Sequence, residues 1–281
     1  MIDKIQKIQQ NIANLSKKIK VKPKLQEAVP TSWKGTNHNY NKFIIIAHAR
    51  SGSSMLIGAL RGHPQIMGFG EIFHPKEITF NIQDYDNNSI QLLSLRNNYP
   101  VEFLNHFIFS SYKDQIKAVG FKVFPEQIDN NSFRRIWQWL DEHRDVKMVF
   151  LTRQDLLATY TSRLIARKDG KYGIRKEEQR STTTVKIDPH NLLEELEKRK
   201  YYNEEVKKYI KDHDCMEITY EELTQNLSYY LKKIQGFIGV DVNDLAVKSI
   251  KQETRSLENV IENYDELKLF FKATEWEYLF Q

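Results

Sequence analysis

Two hydrophobic periods alternate along the chain. FIIIAHA, from Phe43, is a continuous apolar run with β-branched residues, the pattern of a strand covered on both faces of a parallel sheet. AVGFKVF at 118–124, VKMVFLT at 146–152 and MEITY at 216–220 predict three further strands. Helical spacing fills the intervals at 53–62, 101–113, 132–143, 155–168, about 189–211 and 221–236. Strand followed by helix, repeated in this order, predicts an α/β fold of three layers with a central parallel sheet flanked by helices. Residues 76–100 read as irregular. Residues 168–187, KDGKYGIRKEEQRSTTTVKI, carry many charges and no apolar period, and read as a solvated connection, a lid or an acceptor-binding loop.

The first forty residues follow a different pattern. Ile5, Ile8, Ile12, Leu15 and Ile19 fall three and four apart, which predicts an amphipathic helix with a narrow apolar stripe. A stretch rich in lysine and proline follows as a tether. The chain therefore divides into a helix and tether at 1–40 and one domain at 41–281. The helix can fold back on that domain, lie on a membrane surface, or pair with a second copy to make a homo-oligomer.

Composition narrows the classes. With 40% hydrophobic and 28% charged residues, the 281-residue chain has the balance of an ordinary globular protein. No apolar stretch approaches the roughly 20 residues of a membrane span, and MIDKIQKIQQ has no apolar signal core. A cytoplasmic location is expected. The net charge of +5 favours anionic ligands, but the basic residues are spread among 37 acids rather than clustered, so nucleic acid is not the expected partner. The single Cys215 has no intramolecular disulfide partner and reads as an inert buried thiol. The histidines do not pair at metal-ligand spacing, so no metal site is predicted.

Residues Ala47–Ser54, AHARSGSS, lie where a strand ends and a helix begins. Backbone N–H groups and the helix dipole converge at such a place and bind phosphate. Compared with the P-loop pattern GxxxxGK[ST], Gly52 is followed by Ser53 and Ser54, Ala47 takes the first position, and the one cation is Arg50. A triphosphate with magnesium is poorly served without the lysine. A 5′-phosphate bearing one further charged group fits better.

RSGSSML, followed by GHPQI and GEIFHP, resembles the phosphosulfate-binding loop of sulfotransferases that use 3′-phosphoadenosine 5′-phosphosulfate (PAPS), particularly the bacterial carbohydrate branch that includes trehalose and nodulation-factor sulfotransferases. The resemblance implies a P-loop-like fold and PAPS as donor, without a metal. Arg50, Ser51, Gly52, Ser53 and Ser54 would hold the 5′ end. In FLTRQDLLATYTSRLIA, Arg153 and Ser162 resemble the family's 3′-phosphate site, where a guanidinium and a hydroxyl converge. VGFKVF resembles the central strand that carries a lysine, Lys122, toward the site. Lys251 and Gln252 resemble a late segment that closes over the nucleotide. Glu71, in GEIFHP, matches the catalytic glutamate the resemblance implies.

Sulfuryl transfer requires a proton acceptor and positive charge for the departing phosphate. Glu71 is the expected base, with Phe69, Ile72 and Phe73 expected to desolvate it. Arg50 and Lys122 supply charge; His74, His63 and His48 are competing bases, His74 foremost. The acceptor is expected to be a hydroxyl on a carbohydrate or glycolipid, and Tyr85, Tyr99, Tyr112 and Tyr172 either stack on sugar rings or pack. Alternative readings are a P-loop kinase or phosphotransferase, a sulfotransferase acting on protein tyrosine or a small alcohol, and a noncatalytic protein that holds anions.

Overall fold

A computed structural model describes residues 34–79, 90–128, 133–171, 181–247 and 255–281. The amphipathic stripe at 5–19, Tyr85, Tyr172, Lys251 and Gln252 lie outside the described residues.

Six strands are present among the described residues: β1 (Lys34–Asn37), β2 (Asn41–Ala47), β3 (Ile66–Glu71), β4 (Ala118–Val123), β5 (Lys147–Thr152) and β6 (Cys215–Thr219). Five form one sheet in the order β3-β4-β2-β5-β6, with every pairing parallel. The expected α/β architecture is therefore present. β1 makes an antiparallel bridge from Asn37 to Tyr112. Tyr40 adds a hydrogen bond from its hydroxyl to the Ser110 carbonyl at 2.7 Å, so residues just before the sheet are docked on the domain.

Alternation along the strands builds the two cores. Ile44, Ile46, Phe121 and Phe150 share one hydrophobic cluster, while Phe43, Ile45, Val149 and Leu151 share another across the sheet. Each such fully buried side chain contributes about 1.5–3 kcal/mol of transfer free energy. On the second face α1 (Ser53–Leu60) turns Leu56, Ile57 and Leu60 onto the sheet. On the first, Phe103, Phe107 and Trp139 pack from the segments around α2 (Ile90–Asn98), α3 (Pro100–Phe103), α4 (Pro125–Ile128) and α5 (Arg135–Glu142). A third cluster joins α6 (Leu156–Asp169), α7 (Pro189–Ile210) and the C-terminal residues Phe271 and Phe280.

Several elements differ from the sequence reading. GFGE is the end of edge strand β3, which is not among the expected strands; it pairs on one side only, and two glycines in six residues dilute its apolar signal. Part of the irregular region is helix α2, which turns Arg96 inward. The helix expected at 101–113 shortens to α3 followed by a π-helical turn at Leu104–Ile108. The one expected at 221–236 is two, α8 (Tyr220–Gln225) and α9 (Leu227–Ile238). Asn226 separates them because its side chain accepts a hydrogen bond from the Tyr229 amide, the role in which asparagine competes with helix continuation. In the span expected to be a loop, residues 181–187 dock on the C-terminal segment, where Val185 bridges Ile261.

Two further α-helices of the described residues, α10 (Leu257–Val260) and α11 (Tyr264–Phe270), lie in that segment. No helix of the described residues is long and apolar enough to cross a membrane.

Candidate active site

Parallel strands put all their carboxyl ends on one edge of the sheet, where α/β proteins bind ligands. Here β3 delivers Glu71, β4 delivers Lys122, β2 leads into the 48–54 loop, Arg153 follows β5, and Tyr220 follows β6. The sheet order therefore sets the order of groups along this edge.

The loop is held in an unusual backbone. Arg50 has φ 67° and Gly52 φ 84°. For arginine the left-handed region costs about 1–2 kcal/mol; glycine adopts it freely. A Cβ on Gly52 would stand 2.6 Å from Tyr220 Cδ2, so the ring lies directly on the loop. The carbonyls of the loop turn inward. His48 O accepts from the Ser51 amide at 3.3 Å, and Arg50 O accepts from Arg153 Nη1 at 3.0 Å. The first amides of α1 follow without intrahelical partners, as at any helix start.

Arg50 donates through Nε and Nη2 to Ser162 Oγ at 3.1 and 3.0 Å. The two anion pockets expected around Arg50 and around Arg153 with Ser162 are thus one contiguous cluster. Arg153 stacks over Tyr220 at 4.4 Å. Beside them is a cavity of about 430 Å³ lined by Arg153, Asp155, Tyr220, Glu221, Thr224 and Gln225. Ser51 Oγ and Arg153 Nε are buried and lack a hydrogen-bond partner among the described residues. Such atoms fit an anionic ligand that supplies acceptors.

The other end of the edge carries a carboxylate and an ammonium. Lys122 is 2% exposed; its Nζ lies 2.9 Å from Glu71 Oε1 and donates to Ser54 Oγ at 2.7 Å. Gln127 Nε2 donates to Glu71 Oε2 at 3.1 Å, while Gln127 Oε1 accepts from the Phe124 amide at 3.1 Å. The apolar surroundings expected for the Glu71 carboxylate are not those observed. Phe69, Ile72 and Phe73 point into the core, and polar groups hold the carboxylate.

Arg96, fully buried, shapes the turn after Glu71. One nitrogen, Nη1, donates to the carbonyls of Ile72, His74 and Glu77 at 2.9, 2.7 and 3.2 Å. Burial pushes its guanidinium down to about 10. His74 offers its backbone carbonyl to Arg96, and its buried Nδ1 has no partner among the described residues. The other two histidines are engaged elsewhere. His48 contacts Glu126 and Asn203 at 2.9 and 3.0 Å; His63 contacts the Asp241 carbonyl and Asn243, both at 2.8 Å. Burial alone would raise the Glu126 carboxyl, but hydrogen bonding and charge from His48, helped by Arg199, hold it below the ordinary 4.5. Tyr112 is fully buried and donates to the Ile108 carbonyl, so it packs rather than meeting a sugar. Burial pushes the Cys215 thiol up to about 11, in keeping with an inert group.

Gln127, Arg96 and Arg199 went unrecognised in the sequence. Of these only Arg199 carried a signal, since it falls on the buried stripe of α7 with Leu192, Leu196, Val206 and Ile210.

Fold and site together define an α/β protein whose strand-to-helix loop has the form of a phosphate loop without its lysine. No family model matches the sequence. The chain is similar to nodulation protein H of Rhizobium tropici, 22% identical over 244 residues that cover 85% of this chain and 92% of that protein. Among solved structures, a sulfotransferase from Alicyclobacillus acidocaldarius shares 16% identity, with 83% of this chain and 91% of that chain covered and a TM-score of 0.45. A mouse sulfotransferase complexed with PAP shares 16% identity, with 75% and 62% covered and a TM-score of 0.42. The likeness to nodulation protein H along most of both chains supports the family that the motifs resemble, the PAPS-dependent sulfotransferases.

Proposed function

We propose that the protein transfers a sulfuryl group from PAPS to a hydroxyl of a carbohydrate or glycolipid, with Glu71 as general base. The observation that carries this reading is the chain Glu71–Lys122–Ser54, which joins a carboxylate to the phosphate loop through one buried ammonium.

The bound donor supplies a sulfuryl group on a phosphate leaving group. Arg50, Ser51, Gly52, Ser53 and Ser54 hold the 5′ phosphate, and Arg153 with Ser162 holds the 3′ phosphate. Lys251 and Gln252 would complete this site. Glu71 accepts the acceptor's proton as the new oxygen–sulfur bond forms and the bond to the phosphate oxygen breaks. Lys122 lies between base and loop, where its charge stabilises that departing oxygen. Gln127 keeps one Glu71 oxygen engaged and so fixes the carboxylate plane. His74 is the alternative proton acceptor.

The acceptor class rests on the motif resemblance to the carbohydrate branch and on the relative's name in nodulation. A kinase reading is disfavoured by Ser54: its hydroxyl, which would face magnesium in a P-loop, accepts from an ammonium. The organisation into residues 1–40 and a domain at 41–281, self-association through the first, and a cytoplasmic location belong to the same proposal.

The test is transfer of labelled sulfuryl from PAPS to a panel of oligosaccharides, glycolipids, tyrosine peptides and steroids, with Glu71→Gln and His74→Ala beside the wild type. The expected result is labelled carbohydrate, lost in Glu71→Gln by roughly a hundredfold or more. Loss in His74→Ala alone would move the base to the histidine, and label on peptide alone would change the acceptor class.

A further inference from the structure

Beneath the loop lies a buried polar system outside the reacting groups. Arg199, on α7, is 2% exposed. It sits on the helix's apolar stripe, where leucine or valine would otherwise pack. Its Nε donates to Glu195 Oε1 at 2.9 Å, and the same carboxylate meets Arg163 Nη1 at 2.8 Å. Held in this way, the guanidinium extends Nη2 to the Ala49 carbonyl at 3.2 Å. The neighbouring carbonyl, of Arg50, is held by Arg153. Two successive carbonyls are thus fixed by two guanidiniums on either side of the strained φ of Arg50.

A peptide plane whose oxygen is pulled inward must present its N–H in the opposite direction. We propose that Arg199 is a positioning residue: by holding the Ala49 carbonyl it locks the Ala49–Arg50 peptide so that the loop's amides face the donor's 5′ phosphate. Arg199 touches no reacting atom. Its guanidinium also places positive charge behind the loop, shielded from solvent, where it reinforces anion binding. Glu195 and Arg163 are the frame that aims it. This rests on the donor reading given above and adds the device that preorganises the loop.

Arg199→Lys keeps a charge next to Glu195 and preserves the ion pair, but its shorter, single-pronged head cannot serve Glu195 and Ala49 together. Glu195→Gln keeps the shape and weakens the aim. The experiment measures affinity for adenosine 3′,5′-bisphosphate by calorimetry, the KM for PAPS and for the acceptor, and the Tm of the free protein. In Arg199→Lys, bisphosphate affinity and donor KM worsen roughly tenfold, the worth of one charge-assisted hydrogen bond, while acceptor KM holds. Glu195→Gln moves the same two quantities in the same direction by about threefold. Unchanged donor affinity in Arg199→Lys overturns the inference while leaving the donor reading intact. So does a drop in Tm with donor and acceptor KM worsening together, which marks a purely structural arginine. A wild type that does not bind the bisphosphate overturns the donor reading itself.

Discussion

The pair formed by Lys122 and Glu71 invites a double-mutant cycle. Lys122→Met removes the ammonium at nearly constant volume, so no large cavity opens. What is lost is a contact of 2.9 Å between side chains 3% and 19% exposed, together with the bond to Ser54 at 2.7 Å and the approach of the ammonium to the Phe124 ring at 5.2 Å. Breaking a buried ion pair from one side costs about 3–5 kcal/mol. Glu71 retains Gln127 and some solvent, so the lower end applies, about 3 kcal/mol. Glu71→Gln strands the lysine less, because Ser54 remains, and costs about 2 kcal/mol. Since each single change breaks the same contact, the double variant should be less destabilised than the sum by about 2 kcal/mol. Urea unfolding at fixed pH measures all three. A coupling energy below about 0.5 kcal/mol would refute the claim that ammonium and carboxylate act as one unit.

Gly52→Ala combines a positive φ with a Cβ placed 2.6 Å from the Tyr220 ring, and should lower stability by about 2 kcal/mol and bisphosphate affinity at least tenfold; adding Tyr220→Ala should restore only the steric part, read by thermal unfolding. Arg96→Met leaves three loop carbonyls without their donor and should cost about 3 kcal/mol, a Tm fall of roughly 6–12 °C in scanning calorimetry. The Glu126 carboxyl is held below its ordinary 4.5, so its stabilising contribution is complete above that pH and disappears as pH falls through the lower folded-state value. Glu126→Gln should therefore flatten the acid limb of stability against pH; an unchanged limb would show that the His48 pair is not linked to folding.

The central strands could be read from sequence because β2, β4 and β5 are buried on both faces and their β-branched runs have no other use. Edge strand β3 escaped, since two glycines in its six residues dilute the apolar run. The loop was legible because a strand, small residues and a helix start must be adjacent in sequence to make a phosphate cradle. Arg153 and Ser162 lie within one strand-to-helix unit and were legible for the same reason, but their direct contact with Arg50 depends on how β2 and β5 pair. Gln127 and Arg96 reach the site through hydrogen bonds from separate elements, and no local pattern marks such groups. Arg199 sits in EKRK, which resembles a solvated face until its place on the apolar stripe is counted.

The account stands most directly on the Arg50, Ser162 and Arg153 cluster beside the phosphate loop. Calorimetry of the full chain without divalent metal, comparing adenosine 3′,5′-bisphosphate with adenosine 5′-monophosphate, tests it. The account predicts at least tenfold tighter binding of the bisphosphate, the worth of one charged phosphate contact. Equal affinities would contradict it.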